Sequence, residues 1–333
     1  MLFQPAIIAL LLGALLIGFM LSYASYHGVR ILRRWDIRSG SELQLSLERR
    51  TYLISTIMTY AFGFQLISLF LFIYTVDHLN TLFVGAMCAV GTLNVNRWGY
   101  PTILLKMINF LLAGLWLIIN YTDNQAYDYP LIKKKYVLLL IIAPFIAAET
   151  ILQANYFLGL TPNIITSCCG ALFSSETTGM ASEIATFPRT PVEIAFYSMM
   201  VFTFAFGIYF LLKGRGGCLF SLGSILTFFI SVIALISFLC LYFYELPTHH
   251  CPFCILQKEY GYVGYAVYIT LLGGVVSGAG VGAIIPFRNI KSLTEVLPPI
   301  ERKLTLMSLI SYSLFMAIIL HRAIFSNLTL KGY

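Results

Sequence analysis

Residues 220–243 read FSLGSILTFFISVIALISFLCLYF, an apolar run without a single charge. A helix needs about 20 predominantly apolar residues to cross a hydrocarbon core of roughly 30 Å, and this run supplies them. Seven more runs of the same kind lie near 5–25, 52–76, 101–121, 137–158, 192–212, 260–284 and 304–325. The chain as a whole agrees, with 59% hydrophobic residues, 11% charged residues and a mean hydropathy of +0.84. A soluble chain carries roughly a quarter charged residues, more than twice this share. The expected fold is therefore an all-α integral membrane protein with about eight transmembrane helices.

The first run has no basic stretch before it and an arginine cluster behind it, so it reads as a retained anchor instead of a cleaved signal. The stretch 78–100, with TLFVGAMCAVGTLNV, is apolar but short and carries Gly and Asn. It is expected to be re-entrant or to lie on the surface, not to form a ninth span. Two regions follow: 1–136, with three helices and an outer loop bearing Cys88, and 137–333, with five helices and the remaining outer cysteines.

Basic residues collect on the cytoplasmic side of membrane proteins. With the N-terminus outside, Arg30, Arg33, Arg34, Arg38, Arg49, Arg50, Lys133, Lys134, Lys135, Lys213, Arg215, Arg288, Lys291, Arg302 and Lys303 fall inside. Arg97, Lys106, Arg189, Lys258, Arg322 and Lys331 fall outside. This asymmetry predicts a multi-pass protein with both termini outside; for a bacterial chain the membrane is the inner (cytoplasmic) one. It also accounts for the net charge of +7 as topology signals and contacts to the lipid bilayer, with no nucleic acid partner.

The same topology sorts the seven cysteines. Cys88, Cys168, Cys169, Cys251 and Cys254 lie in outer loops, where an oxidising periplasm lets disulfides persist. Cys218 and Cys240 read as small buried hydrophobes. Immediately after the opening run comes HHCPFCILQKEYGY, residues 249–262. Pro252 suits the first position of a helix, which would put Cys251 at its cap and Cys254 in its first turn. Thiolates there face the positive end of the helix dipole and become more acidic.

Cys251-Pro252-Phe253-Cys254-Ile255-Leu256-Gln257-Lys258 resembles the CPxCILQR signature of the disulfide bond formation protein B (DsbB) and vitamin K epoxide reductase-like family. The flanks LCLYFYELP and EYGYVGYAVYITLLGG resemble the helical hairpin around that signature, over about 60 residues. The resemblance implies a membrane thiol-disulfide oxidoreductase linked to quinone. It implies that Cys251 and Cys254 are the quinone-facing pair, that Lys258 stands at the family's arginine beside the quinone, and that an extracytoplasmic thiol protein supplies electrons. Cys168 and Cys169, with Cys88 in reserve, are the candidates for the second cysteine pair, with three departures from the family. They are adjacent, their loop precedes the CxxC hairpin, and the chain has twice the family's helix number.

A second reading of the same residues is a soft-metal carrier. Cys88, Cys168, Cys169, His249 and His250 offer thiolate and imidazole ligands to copper or zinc. A third is an accessory subunit of a larger respiratory or transport complex. Covalent haem is excluded by Ile255 in place of the histidine of CxxCH, and no histidine is expected at membrane depth for a non-covalent haem. Glu149, within the fourth run near Gln153 and Asn155, is the one ionisable group expected inside a span, either paired within the bundle or facing a polar pocket. VSGAGVG, with Gly274, Gly278 and Gly282, reads as a close helix-packing face.

Overall fold

Among the described residues of the structure, a computed structural model, eight helices are long and apolar enough to cross a membrane. The structure describes residues 3–37, 39–162, 164–166 and 189–328. The spanning elements are α1 (Pro5–Arg34), α2 (Glu42–His78), α4 (Gly99–Gln125), α5 (Ile132–Leu158), α6 (Arg189–Lys213), a composite helix, α9 (Val263–Ile284) and α10 (Leu297–Phe325). The composite helix runs as α7 (Gly217–Ala234) through a π-helical turn, Leu235–Leu239, into α8 (Cys240–Tyr244). α3 (Ala89–Leu93) is a short helix. No strand occurs among the described residues, where one isolated bridge joins Val84 to Ile165. The protein is a multi-pass, all-α membrane protein.

Local chemistry explains the helix ends. Pro5 opens α1 where its missing N–H costs nothing, and Arg33 and Arg34 close it beside the negative end of the dipole. α8 stops where Glu245 turns left-handed, at φ 55°, two residues before Pro247. Pro144 is accommodated inside α5.

The chain forms two compact units that interleave in sequence. The first comprises Met1–Thr75, Asn96–Leu160 and Pro286–Ile300. Its core joins Ile17, Leu21, Met58, Phe62, Trp116, Tyr136, Leu139 and Ile146, with α5 packed on α1 and α4. Inside that apolar core lie two ion pairs. Lys106 Nζ meets Glu149 Oε1 at 2.7 Å and Lys135 Nζ meets Asp123 Oδ2 at 2.8 Å, all four side chains buried. Lys106 is therefore not an outer-loop charge, nor Lys135 an inner-loop one. The sequence count misplaced them because each sits within a helix beside an acid that cancels its charge.

The second unit comprises Val76–Val95, Thr161–Ile285 and Glu301–Tyr333. Here α7 packs on α6 and α9. The glycines of α9 let α7 come close: a Cβ at Gly278 would overlap Ser224, and one at Gly282 would overlap Ser221. The Tyr312 hydroxyl donates to the Ser224 carbonyl at 2.8 Å, and Ser308 donates to the Gly274 carbonyl at 2.8 Å, tying α10 to the same spot. The stretch 78–100 does not form a ninth span. It forms a 3₁₀ turn at Asn80–Leu82 and then α3, with Phe83, Cys88, Ala89, Val90 and Leu93 buried. These side chains are covered by protein while Leu82, Val84 and Met87 stay exposed, a division that a sequence window cannot read. Cys218, expected to be buried, is exposed.

Gly278→Val is expected to lower stability by about 1–3 kcal/mol, the usual cost of overpacking a filled contact. Gly18→Ala, where nothing lies within 4 Å of an added Cβ, should not destabilise. Thermal unfolding of both variants in detergent checks the contrast.

Candidate functional site

Between α8 and α9 the chain makes a return loop that carries the CxxC sequence. Cys254–Leu256 and Lys258–Tyr260 form two successive 3₁₀ turns, and Gly261 (φ 64°) with Tyr262 (φ 56°) breaks the chain before α9 starts at Val263. Cys251 and Cys254 are thus not at the cap and first turn of the spanning helix. Two consecutive left-handed residues separate them from it, so the helix dipole does not act on these thiols. Tyrosines hold the loop. Tyr244 donates its hydroxyl to the Cys251 carbonyl, and Tyr268 donates to the Pro252 carbonyl, fixing both sides of the Cys-Pro peptide from α8 and α9. Gly264 leaves room for Ile255, which a side chain there would strike.

Cys88 reaches the same place from the segment before α3. It takes an extended backbone as the residue preceding that helix. Its sulfur lies 3.7 Å from that of Cys251, and the sulfurs of Cys88, Cys251 and Cys254 are all within 4.8 Å of one another. All three side chains are buried. A bonded sulfur pair is about 2.05 Å apart, so 3.7 Å is contact and not a covalent link.

Asp77, at the end of α2, sets the register of the two cysteine-bearing stretches. Its Oδ1 accepts the Ala89 N–H at 3.0 Å and a side-chain N–H of Gln257 at 3.2 Å. Gln257 also donates to the Met87 carbonyl at 2.8 Å, and Asn80 donates to that carbonyl at 3.1 Å. Met87, just before Cys88, is therefore hydrogen-bonded to Gln257, three places after Cys254, and Ala89, just after it, is tied to Gln257 through Asp77. Thr166 adds a second strap, its N–H bonded to the Val84 carbonyl and its hydroxyl to the Gly91 carbonyl, both at 2.9 Å.

His249 Nε2 lies 3.4 Å from Cys254 Sγ, with the imidazole packed edge-on against the Tyr244 ring. Burial holds its pKa below the ordinary histidine value. Cys88 pulls the other way and His250 adds to the lowering. A neutral imidazole keeps one ring nitrogen free to accept a proton or a metal. His250 instead uses Nδ1 on the Ile236 carbonyl at 2.9 Å, inside the π-helical turn, where the regular ladder is interrupted. Lys258 is exposed in the second 3₁₀ turn. Cys168 and Cys169 lie outside the described residues.

Of the residues singled out in sequence, the fold thus gathers Cys88, Cys251, Cys254 and His249. It directs His250 to a backbone carbonyl and leaves Lys258 in solvent. Of the positioning groups, Gln257 lies within the signature and Tyr244 and Tyr268 within its flanks, whereas Asp77 belongs to no motif; none was singled out for this role. The only sequence signal of Asp77 is polarity at the end of an apolar run.

Three thiols at these separations can do two things. A Cys251–Cys254 disulfide can exchange with Cys88, because the attacking sulfur is already in contact with one of the bonded pair. Alternatively, thiolates bound to a tetrahedral ion at about 2.3 Å sit about 3.8 Å apart, close to the Cys88–Cys251 separation. Compared with models of known families, with curated proteins and with solved structures, the chain matches none. The fold and site define an α-helical, multi-pass membrane protein with a buried three-cysteine centre.

Oxidising the Cys254→Ser variant under mild conditions is expected to join Cys88 to Cys251. The check is an intact mass lower by two hydrogens and a cross-linked peptide containing both. Adding Gln257→Ala should reduce the yield, since it removes the tie between the two stretches. A variant that stays unlinked would show that these sulfurs do not meet in solution.

Proposed function

We propose that the protein is a quinone-linked thiol-disulfide oxidoreductase of a bacterial inner membrane, working on the extracytoplasmic side. The observation that carries this reading is the contact of Cys88 Sγ with Cys251 Sγ at 3.7 Å, beside Cys254. The hairpin signature shared with the DsbB family supports it. So does the exclusion of water around the buried sulfurs, which protects a mixed disulfide from stray thiols.

A reduced extracytoplasmic protein gives two electrons and two protons, through Cys168 or Cys169 and Cys88, to the Cys251–Cys254 disulfide. Cys88 thiolate attacks Cys251 Sγ, the bond to Cys254 breaks, and Cys254 leaves as thiolate. A thiolate of the donor, relayed through Cys168 or Cys169, then attacks Cys88 Sγ and Cys251 leaves as thiolate; a second donor thiolate releases Cys88, and the donor keeps the disulfide. Neutral His249, beside Cys254, takes or returns the proton. The reduced pair is then reoxidised by quinone, which takes the two electrons and two protons and leaves as quinol. Lys258 is the cation that the resemblance assigns to the quinone. A cleft of about 370 Å³ lined by Val263, Ala317, Ile318, His321 and Arg322 offers an apolar wall and the Arg322 guanidinium, a setting that suits a quinone ring with two carbonyl oxygens.

A second reading has its own observation. The sulfur separations, with His249 adjacent, match the donor set of a soft ion, copper(I) or zinc, held by Cys88, Cys251 and Cys254. In that case the protein is a carrier or a subunit of a larger membrane complex.

One experiment separates the two. Purified protein is assayed for bound metal and for free thiols before and after a soluble quinone is added. The redox reading expects metal-free protein, a loss of two thiols per chain with one quinol formed, and no such loss in Cys251→Ser or Cys254→Ser. Cys88→Ser should keep the quinone reaction and lose transfer from a reduced protein substrate. Stoichiometric copper or zinc that disappears in Cys88→Ser, with a thiol count indifferent to quinone, would establish the carrier reading instead.

A further inference from the structure

An exposed groove in the first unit leads to two arginines that no acid neutralises. It runs between α1 and α2, with Ala24, Ile54 and Met58 buried as its floor and Phe19, Tyr23 and Leu53 exposed as its walls. Its volume is about 280 Å³, and the Tyr23 hydroxyl is the one hydrogen-bond donor among the side chains that line it. The gap exists because α1 packs closely on α5 but not on α2. Two side-chain bridges bound it. At one end the Phe64 ring fills the space that a Cβ at Gly13 would need. At the other, Arg50 donates to His27 Nδ1 at 3.4 Å, and this pairing of residues shows the two helices running antiparallel.

Helical spacing puts the charge and the groove on one face of each helix. On α2, Leu53, Ile54, Ile57 and Met58 follow Arg50 at i+3, i+4, i+7 and i+8, and on α1 Met20, Tyr23, His27 and Arg30 step by three or four residues. The Arg30 guanidinium lies over the Tyr26 ring, 4.8 Å from its centre. Neither Arg30 nor Arg50 forms an ion pair among the described residues. Glu48, two places before Arg50, accepts the side-chain N–H of Gln44 at 2.9 Å instead. Two such arginines at the end of an apolar groove match an anion with a hydrocarbon tail. The guanidinium fork suits phosphate, and basic pockets between spanning helices take anionic lipid headgroups. The lining covers residues 19–24 of α1, about 9 Å along the axis, so the groove is about 30 Å² in section. That admits an extended hydrocarbon chain and excludes an α-helix, which is about 10–12 Å across.

We infer that this groove binds one anionic phospholipid, with an acyl chain between α1 and α2 and the headgroup phosphate on Arg30 and Arg50. The phosphate supplies the negative charge that the chain itself does not place beside these arginines. The acyl chain covers the apolar floor that α1 and α2 leave between them. Binding of this lipid does not depend on the thiol reading.

The test is native mass spectrometry of the full chain in detergent, titrated with phosphatidylglycerol and, separately, with phosphatidylcholine of the same acyl chains. Wild type is expected to hold one phosphatidylglycerol at concentrations where phosphatidylcholine does not bind. Arg30→Gln/Arg50→Gln should weaken that binding about 30-fold. Leu53→Trp, which fills the groove from an exposed position and keeps every charge, should also abolish the preference while eluting and melting like wild type. Lys213→Gln/Arg215→Gln removes the same charge from exposed positions in the second unit and should leave binding unchanged. Equal binding of the two lipids by wild type would overturn the inference. So would the same loss in both double variants, which would mean diffuse attraction to charge. A second copy of the chain bound to wild type, indifferent to lipid and lost in Leu53→Trp, would put protein in the groove and overturn it as well.

Discussion

The hydrocarbon core of a bilayer contains no water to pair with a backbone N–H or C=O, and each unpaired group there costs several kcal/mol. Everything else in the protein is arranged around that constraint. Inside the spans the chain is helical, because helices settle the backbone locally. The irregular stretches 79–98 and 245–262 lie between spans, and side chains supply the bonds that a regular ladder would have made. Asp77 serves the Ala89 N–H, Gln257 and Asn80 serve the Met87 carbonyl, and tyrosine hydroxyls serve the carbonyls of Cys251 and Pro252.

Those substitute bonds also build the site. A loop freed from helix geometry can turn its side chains inward, and three thiols converge because their backbones are pinned by the same few polar groups. The left-handed residues Gly261 and Tyr262 belong to this arrangement. By delaying α9 they let the CxxC segment fold as compact 3₁₀ turns instead of extending the helix toward solvent. The π-helical turn before α8 belongs to it as well, since it exposes the carbonyl that holds His250 and thereby orients the adjacent His249. Thiol chemistry and soft-metal binding both draw on this one geometry. Oxidation state and the identity of the partner decide between them.

The two units answer the cost of polarity differently. In the second, small residues and hydroxyls let helices approach closely, as at Gly278 against Ser224, and hydroxyls bond to helix carbonyls at no cost in charge. In the first, full charges are buried and neutralised in pairs.

Reading the sequence alone determines the solvent. Eight apolar runs, the low charge and the absence of any long polar domain leave only a helical membrane protein, because burial in lipid depends on composition and run length, both local properties. The CxxC and its helical flanks were legible for the same reason. Tertiary structure decided what local patterns cannot carry. Cys88 and Cys251 are separated by 163 residues and meet only through the fold. The cap position drawn from Pro252 failed because Gly261 and Tyr262, several residues later, choose where the helix begins. Lys106 and Lys135 looked like topology charges until the fold set Glu149 and Asp123 beside them. A charge is visible in sequence, whereas its partner is a matter of distance, and in a medium of low dielectric the distance between charges decides their effect.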